Sequence, residues 1–357
     1  MKVQIIKSRI QGSMATFACV IGILAALLPA VVRGQADIHF SQFYEMSILR
    51  NPALTGVFAD DYKFGVYYRN QWSSISNPFR TALVSAETHV DVSSNNDDFL
   101  SFGLLGYADQ AGSIDQKIMG VYPAVNYNKL LSPDHNTYLS VGLAGGYLQY
   151  SFDPGKATFN NQYQNGHFNV INPSQETLPN AKMTLYDFGG GVNLNTTAGR
   201  DGNVTYIIGV SGYHFTQPKF SYYESKGFNQ NIRWNANLGV AGNFTETVSI
   251  MGQGNFAMQG TYKEIMAGAL LSWAAATQAF EQTIVLSGGV YYRYADAIIP
   301  VVKLKYKQMA FGISYDVNIS TLKDASKMQG AYEVTLFVSG KYPDKYGVGS
   351  KTVCPRF

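Results

Sequence analysis

Chemistry needs polar side chains that the fold can bring together, and this sequence offers few. The five histidines, His39, His89, His135, His167 and His214, lie in unrelated segments, and none forms an i, i+4 pair. Cys19 and Cys354 are the only cysteines, too few for a thiolate metal site. No Gly-x-Ser-x-Gly elbow or phosphate loop occurs. Gly142, Gly145, Gly146 and Gly189 to Gly191 fall within alternating segments, where glycine relieves crowding or permits curvature. The acidic runs Asp60-Asp61 and Asn95-Asn96-Asp97-Asp98 lack the calcium-loop spacing that ends in a bidentate glutamate, so they read as solvated turns. The expectation is a non-enzymatic protein without cofactor or metal; an outer-membrane lipid hydrolase with a dispersed Ser and His pair is the one enzyme class left.

A second set of polar residues is better organised. Lys63, Arg69, Glu87, Asp187, Arg233, Arg293, Lys303, Lys305, Asp316 and Glu333 each occupy the polar parity of a segment whose alternate residues are apolar. Two uses fit them: a mutually paired ladder that stiffens a wall, or an inner surface or rim that grips a polypeptide. The row Lys303, Lys305, Lys307 suits an acidic partner.

The segments that would carry them have a period of two. In Phe311 to Ser320 the apolar Phe311, Ile313, Tyr315, Val317 and Ile319 alternate with Gly312, Ser314, Asp316, Asn318 and Ser320. Such a strand asks for an apolar medium on one face and a polar one on the other. Its length is about the 9 to 11 residues that a tilted strand needs to cross a bilayer. Similar runs recur from Tyr62, at 79–90, 99–109, 114–128, 137–151, 183–195, 203–215, 231–244, 247–257, 261–274, 282–294, 297–307, 309–320 and 330–341, giving fourteen in all. Alternation is weakest at 99–109 and 261–274. The expected fold is all-β, a transmembrane antiparallel β-barrel of about 14 strands. A soluble sandwich or propeller would share the alternation, but long regular runs and tyrosines near strand ends favour the membrane.

Composition agrees. Charged residues are only 14% of the chain, against about a quarter in soluble domains, while Tyr, Phe and Gly number 25, 21 and 35. A mean hydropathy of -0.08 leaves no room for a helical membrane bundle. One apolar stretch stands apart: Met14 to Val32, preceded by Lys2, Lys7 and Arg9 and followed by small residues, has the form of a cleaved signal peptide over 1–35. Its removal takes four of the 27 basic side chains and none of the 24 acidic ones, so the nearly neutral remainder carries no argument for nucleic acid.

Domain boundaries follow as signal peptide 1–35, a non-strand segment 36–61, barrel 62–341 and a periplasmic tail 342–357. In the non-strand segment, Phe40, Phe43, Tyr44, Met46, Ile48 and Leu49 precede the turn signal Asn51-Pro52, and so much apolar surface is expected to pack against or inside the barrel. An even strand number puts both barrel termini in the periplasm, and the long connections 152–182 and 216–230 outside.

Several pieces taken together resemble a known family: Phe40-Ser41-Gln42-Phe43, Asn51-Pro52-Ala53 with Thr55-Gly56, Tyr68-Arg69-Asn70-Gln71-Trp72, Pro78-Phe79-Arg80-Thr81, Tyr186-Asp187-Phe188-Gly189, Tyr292-Arg293 with Asp296-Ala297, Ser314-Tyr315-Asp316-Val317-Asn318, and Cys354-Pro355-Arg356-Phe357. In order and spacing they resemble the PorP/SprF family of type IX secretion proteins. The signature residues are Asn51, Pro52, Arg69, Asn70, Gln71, Trp72, Tyr315, Asp316 and Asn318. The resemblance implies an integral barrel of the Gram-negative outer membrane, tied to secretion and gliding motility, that helps secrete or anchor a large surface adhesin by binding its C-terminal domain. Other secretion components, periplasmic or outer-membrane, and membrane lipid are the remaining implied partners. The alternative from the residues alone is a transport barrel for hydrophobic solutes with Phe40 to Leu49 as a plug.

Overall fold

Apolar side chains point outward and polar ones inward, the reverse of a soluble protein. In Phe311 to Asn318, Phe311, Ile313 and Tyr315 are exposed while Gly312, Ser314, Asp316 and Asn318 are buried. Trp234, Leu238 and Val240 face out in the same way, against buried Asn235 and Asn237. The computed structural model describes residues 37–75, 77–92, 97–176, 180–199, 202–222, 227–275 and 284–342. The signal segment 1–35 and most of the expected tail, with Cys354, lie outside the described residues.

Fourteen antiparallel strands close on themselves. They are β1 (Tyr62–Gln71), β2 (Phe79–Asp91), β3 (Phe99–Ala111), β4 (Gln116–Ser132), β5 (Thr137–Ser151), β6 (Lys182–Ala198) and β7 (Val204–Tyr213), then β8 (Arg233–Asn243), β9 (Val248–Gln259), β10 (Tyr262–Ala275), β11 (Ile284–Arg293), β12 (Ala297–Tyr306), β13 (Met309–Asn318) and β14 (Gln329–Gly340). Each strand pairs with its chain neighbours, and closure is made by β1 on β14, from Tyr62↔Gly340 to Gln71↔Ala331. Closure removes the two unpaired edges that an open sheet would expose to lipid. All fourteen expected runs form strands, including the two with the weakest alternation.

The connections divide by parity. One end of the barrel, the loop end, carries 72–78, 112–115, 152–181, 214–232, 260–261, 294–296 and 319–328. The opposite turn end carries tight links such as Lys307-Gln308 and also Tyr62 and Gly340, where the barrel begins and ends. The two longest loops hold small hairpins of their own, Tyr163–Gln164 on His167–Phe168 and Lys219–Phe220 on Phe228–Asn229.

The lumen is not empty, and its wall is not uniformly polar. Residues 37–61 run through it as a strap of short turns: a 3-10 turn at Phe43–Glu45, one helical turn at Ser47–Arg50 and a second 3-10 turn at Pro52–Leu54. Phe40, Met46 and Ile48 of the strap join Tyr67, Leu83, Leu105, Leu148 and Phe337 of the wall in one buried cluster. Phe43 joins Met266, Leu270, Tyr291, Ile299 and Val301 in another. The hydrophobic core of this protein therefore lies inside its barrel, where wall and strap cover each other's apolar side chains.

Candidate functional site

Asn51-Pro52 seats the strap. Proline forces the residue before it into extended backbone, and Asn51 has φ −162 and ψ 119. Its Oδ1 then caps the next turn, accepting from Ala53 N at 2.9 Å, while Nδ2 donates to the carbonyls of Val192 (3.2 Å) and Val210 (3.4 Å) and to Asn237 Oδ1 (2.9 Å). The wall has lost side chains to let this happen. A Cβ on Gly142 would stand 2.2 Å from the Pro52 carbonyl carbon, and one on Gly191 2.1 Å from Asn51 Oδ1.

Much of the wall's grip is on strap backbone. The Glu333 carboxylate accepts from Ser41 N (2.6 Å) and Gln42 N (2.8 Å), and Glu87 accepts from Gly56 N (2.9 Å). Asn126 Nδ2 donates to the carbonyls of Ala53 (3.0 Å) and Thr55 (2.9 Å). Tyr67 OH donates to the Glu45 carbonyl, Ser211 Oγ to that of Arg50, and Tyr213 OH to that of Ile48. A buried backbone group without a partner would cost about 1–3 kcal/mol, which is why a polar wall residue stands opposite each turn.

Six charged wall and loop residues meet the strap near the loop end. Arg69 is paired with Glu333 and, at 3.1 Å, with Asp316; Arg293 reaches Asp316 at 2.9 Å, Asp296 at 3.1 Å and Glu264 at 3.4 Å. The Ser41 hydroxyl sits among them, donating to Asp316 Oδ1 at 2.6 Å and accepting from both arginines. Asp316 faces this cluster by the alternation of its strand, and a β-bulge follows it between Asp316 and Val317, opposite Gly330.

Two more clusters hold the strap. Glu45 receives Lys63 at 3.1 Å and also Lys303; burial would raise its pKa, but Lys303 and Lys63 outweigh burial and hold the carboxyl down at about 2. At the loop end the His214 ring is clasped between Asp37 (Nε2, 2.6 Å) and Asp187 (Nδ1, 3.0 Å), and Arg233 donates to the Ile38 carbonyl at 3.1 Å. Burial would lower the pKa of His214, yet Asp37 and Asp187 raise it to about 9; burial would raise Asp37, yet His214 and Arg233 pull it to about 2. Arg50 is held differently. It is buried against neutral partners, Gln253 Oε1 at 2.5 Å, Asn255 Oδ1 at 3.3 Å and the Gly254 carbonyl at 3.0 Å, with the Phe43 ring 5.0 Å away.

Of the ten charged residues on the polar parity, nine lie inside the barrel or on strap contacts, and Lys305 stands half exposed at the turn-end rim, 4.0 Å from Asp60. They form neither a self-contained ladder nor an empty groove, because the polypeptide they hold is the chain's own N-terminal segment. Signature residues Asn51, Pro52, Arg69 and Asp316 belong to that grip; Gln71 supports Arg69 at 3.1 Å, and Trp72 lies at the rim. Asn318 caps the 319–328 loop through Ser320, Tyr315 faces outward, and Asn70 is buried in β1 without a place in the strap contacts. Residues that periodicity could not single out are Ser41, Gln42, Glu45, Arg50, Asn126 and His214. The inward glycines opposite Asn51-Pro52 were the available signal.

The strap crosses from one mouth to the other. Asp37 lies at the loop end, against His214, Gln230 and Gln259, whereas Tyr62, Gly340 and Tyr342 lie at the turn end. The described chain therefore starts and finishes at opposite mouths, since the strap spans the lumen once before β1 begins. Among the described residues no group of three or more His, Cys, Asp or Glu is placed to hold a metal ion.

The family described as type IX secretion system membrane protein PorP/SprF matches residues 32–338. No curated protein sequence matches the chain. Solved structures with a similar outline include the Ralstonia pickettii toluene transporter TbuX (9% identity, covering 82% of this chain and 92% of that one, TM-score 0.47). Others are a Pseudomonas aeruginosa FadL homologue (8%, 78% and 89%, TM-score 0.45) and BamA from Haemophilus ducreyi lacking POTRA domains 1-3 (10%, 79% and 70%, TM-score 0.42). At these identities the likeness is one of barrel architecture alone.

Proposed function

The chain belongs to the PorP/SprF family of type IX secretion system membrane proteins, an integral β-barrel of the outer membrane, and from that premise we propose that it is a docking platform for a large secreted adhesin. The adhesin's C-terminal domain would seat on the loop end, which faces the cell exterior in this reading. The barrel supplies a rigid ring in the membrane, and the long loops supply the contact.

The observation that carries this reading is the pairing of a filled lumen with an apolar loop tip. The strap occupies the lumen from mouth to mouth, so in this reading contact with a partner falls to the mouths. At the loop end Tyr163, Phe168, Val170 and Ile171 are exposed, Ile171 to 85%, beside the hairpin of the 152–181 loop. Clustered exposed apolar groups on a polar loop are what a protein partner covers. The rival reading, transport of hydrophobic solutes, needs apolar space. The pocket beside Ile48, Leu105 and Leu148 holds only about 20 Å³, room for about one water, and the larger cavity of about 380 Å³ at the loop end is lined by the charged Arg69, Asp109, Glu264 and Arg293.

Purified protein mixed with the C-terminal domain of a candidate adhesin should retain that domain, and shortening loop 152–181 should abolish retention. Retention unchanged by the deletion would remove the loop from the reading. Uptake of apolar solutes into vesicles carrying the intact protein would favour transport instead.

A further inference from the structure

A cavity of about 380 Å³ lies at the loop end, between the start of the strap and the walls of β1 to β4, β10 and β11. It falls at the lower end of the roughly 300–1,000 Å³ of sites that hold small ligands. Its floor is the strap itself, Asp37, Ile38 and His39. Strand register builds one wall: Arg69 pairs with Thr81, Thr81 with Asp109 and Asp109 with Ile118, and in the next row Gln71 pairs with Phe79. Trp72, with left-handed backbone (φ 59), sets its ring edge-on to Phe79 at 5.1 Å between centroids.

The charges around this cavity do not balance. Both arginines that line it are engaged by carboxylates, Arg69 by Glu333 and Asp316, Arg293 by Asp316, Asp296 and Glu264. Asp37 is satisfied by His214. Asp109 has the Thr81 hydroxyl at 2.5 Å, and no described cation lies within ion-pair distance. His39 does not supply one: burial holds its pKa down at about 4, so it is neutral at physiological pH. What is left is a half-buried carboxylate in a cavity that two aromatic rings also line and that has room for a long side chain. Carboxylate plus aromatic faces is a recognition pattern for an organic cation. A metal ion is a poorer fit, because no described carboxylate cluster offers it three ligands.

We propose that this vestibule binds one lysine or arginine side chain of the polypeptide docked on the loop end, with Asp109 as its counter-ion and Phe79 and Trp72 as its walls. This rests on the docking reading above and adds to it a chemical requirement on the partner, a basic residue projecting from the face that meets the barrel mouth.

The test uses the purified full-length barrel in detergent with Trp234 and Trp273 replaced by phenylalanine, so that Trp72 alone reports. The probes are the tripeptides acetyl-Gly-Arg-Gly-amide and acetyl-Gly-Lys-Gly-amide, with acetyl-Gly-Gln-Gly-amide as the neutral control. The basic peptides should change Trp72 fluorescence saturably and the neutral one should not. Asp109→Asn should weaken the response tenfold or more, and Asp109→Glu should retain most of it. Equal responses to the Arg and Gln peptides would overturn the proposal, as would an unaltered affinity in an Asp109→Asn barrel that still shows heat-modifiable migration. Adhesin capture after loop shortening reads the docking proposal alone, so the two can fail separately.

Discussion

Removing the Arg69 guanidinium would strand two buried carboxylates, Glu333 and Asp316, with Arg293 left to compensate at one of them. Breaking a buried pair at one partner costs about 3–5 kcal/mol, so Arg69→Ala should lower the unfolding free energy of the barrel, read by urea titration, by an amount in that range. Gly142→Ala tests the seat of Asn51-Pro52. The new methyl meets strap backbone, which cannot swing aside, and a cost of about 1–3 kcal/mol is expected, together with protease cleavage within residues 37–58. His214 and Asp37 make the clasp at the strap's start sensitive to pH. Asp37 is held below its unfolded value near ~3.9, so its contribution is present above about pH 4 and is lost as pH falls through about 2. His214 is held above its unfolded ~6.5, so its contribution is whole below that pH and is lost as pH rises through about 9. The protection of residues 38–42 against hydrogen exchange, taken relative to the intrinsic rate at each pH, should therefore be greatest between about pH 4 and 6.5, and in His214→Asn, which keeps a side chain suited to φ 61, its loss on the alkaline side should disappear.

At the scale of elements, strap and strands have separable duties. Deleting residues 37–58 removes the groups that fill the lumen and leaves Lys63, Lys303, Glu87 and Glu333 facing open space. In planar bilayers the deletion variant should conduct, whereas the intact chain should not; equal conductance would mean that the strap does not seal the barrel. The outward faces of the strands answer to lipid instead. Ile313, near the middle of β13, is exposed, and Ile313→Arg should cost about 2–4 kcal/mol in folding into vesicles, the penalty for a cation near the bilayer centre. The same change at an exposed loop-end position such as Val170 should cost little, because water can reach it.

For the whole molecule, the functional consequence is polarity between two mouths. The loop end gathers the long loops, the vestibule and the start of the strap, while the turn end gathers tight links and both ends of the strand series. A partner at the loop end therefore meets the strap's first residues directly, whereas one at the turn end meets Lys303, Lys305 and the Tyr62–Tyr342 contact. In cells carrying a Cys354→Ser background, a membrane-impermeant thiol reagent should label Val170→Cys from outside and leave Asn136→Cys at the turn end unlabelled. Labelling of Asn136→Cys alone would invert the orientation and move the proposed docking face to the periplasm.

Alternation alone determined the strand count, the order of long and short connections and the division of each strand into an apolar and a polar face, because a closed barrel repeats one local rule at each residue. It also placed Lys63, Arg69, Asp316 and Glu333 on the inner face. What those residues hold was decided by tertiary structure. The strap 37–61 has no period to read, its contacts join residues nearly 300 positions apart, such as Ser41 and Glu333, and its partners are chosen by where closure brings the wall. For the same reason the place of the strap's start, at the mouth opposite the end of the last strand, could not be read from the sequence. A chain that alternates faces fixes its neighbours strand by strand, but a segment laid inside the ring takes its position from all of them at once.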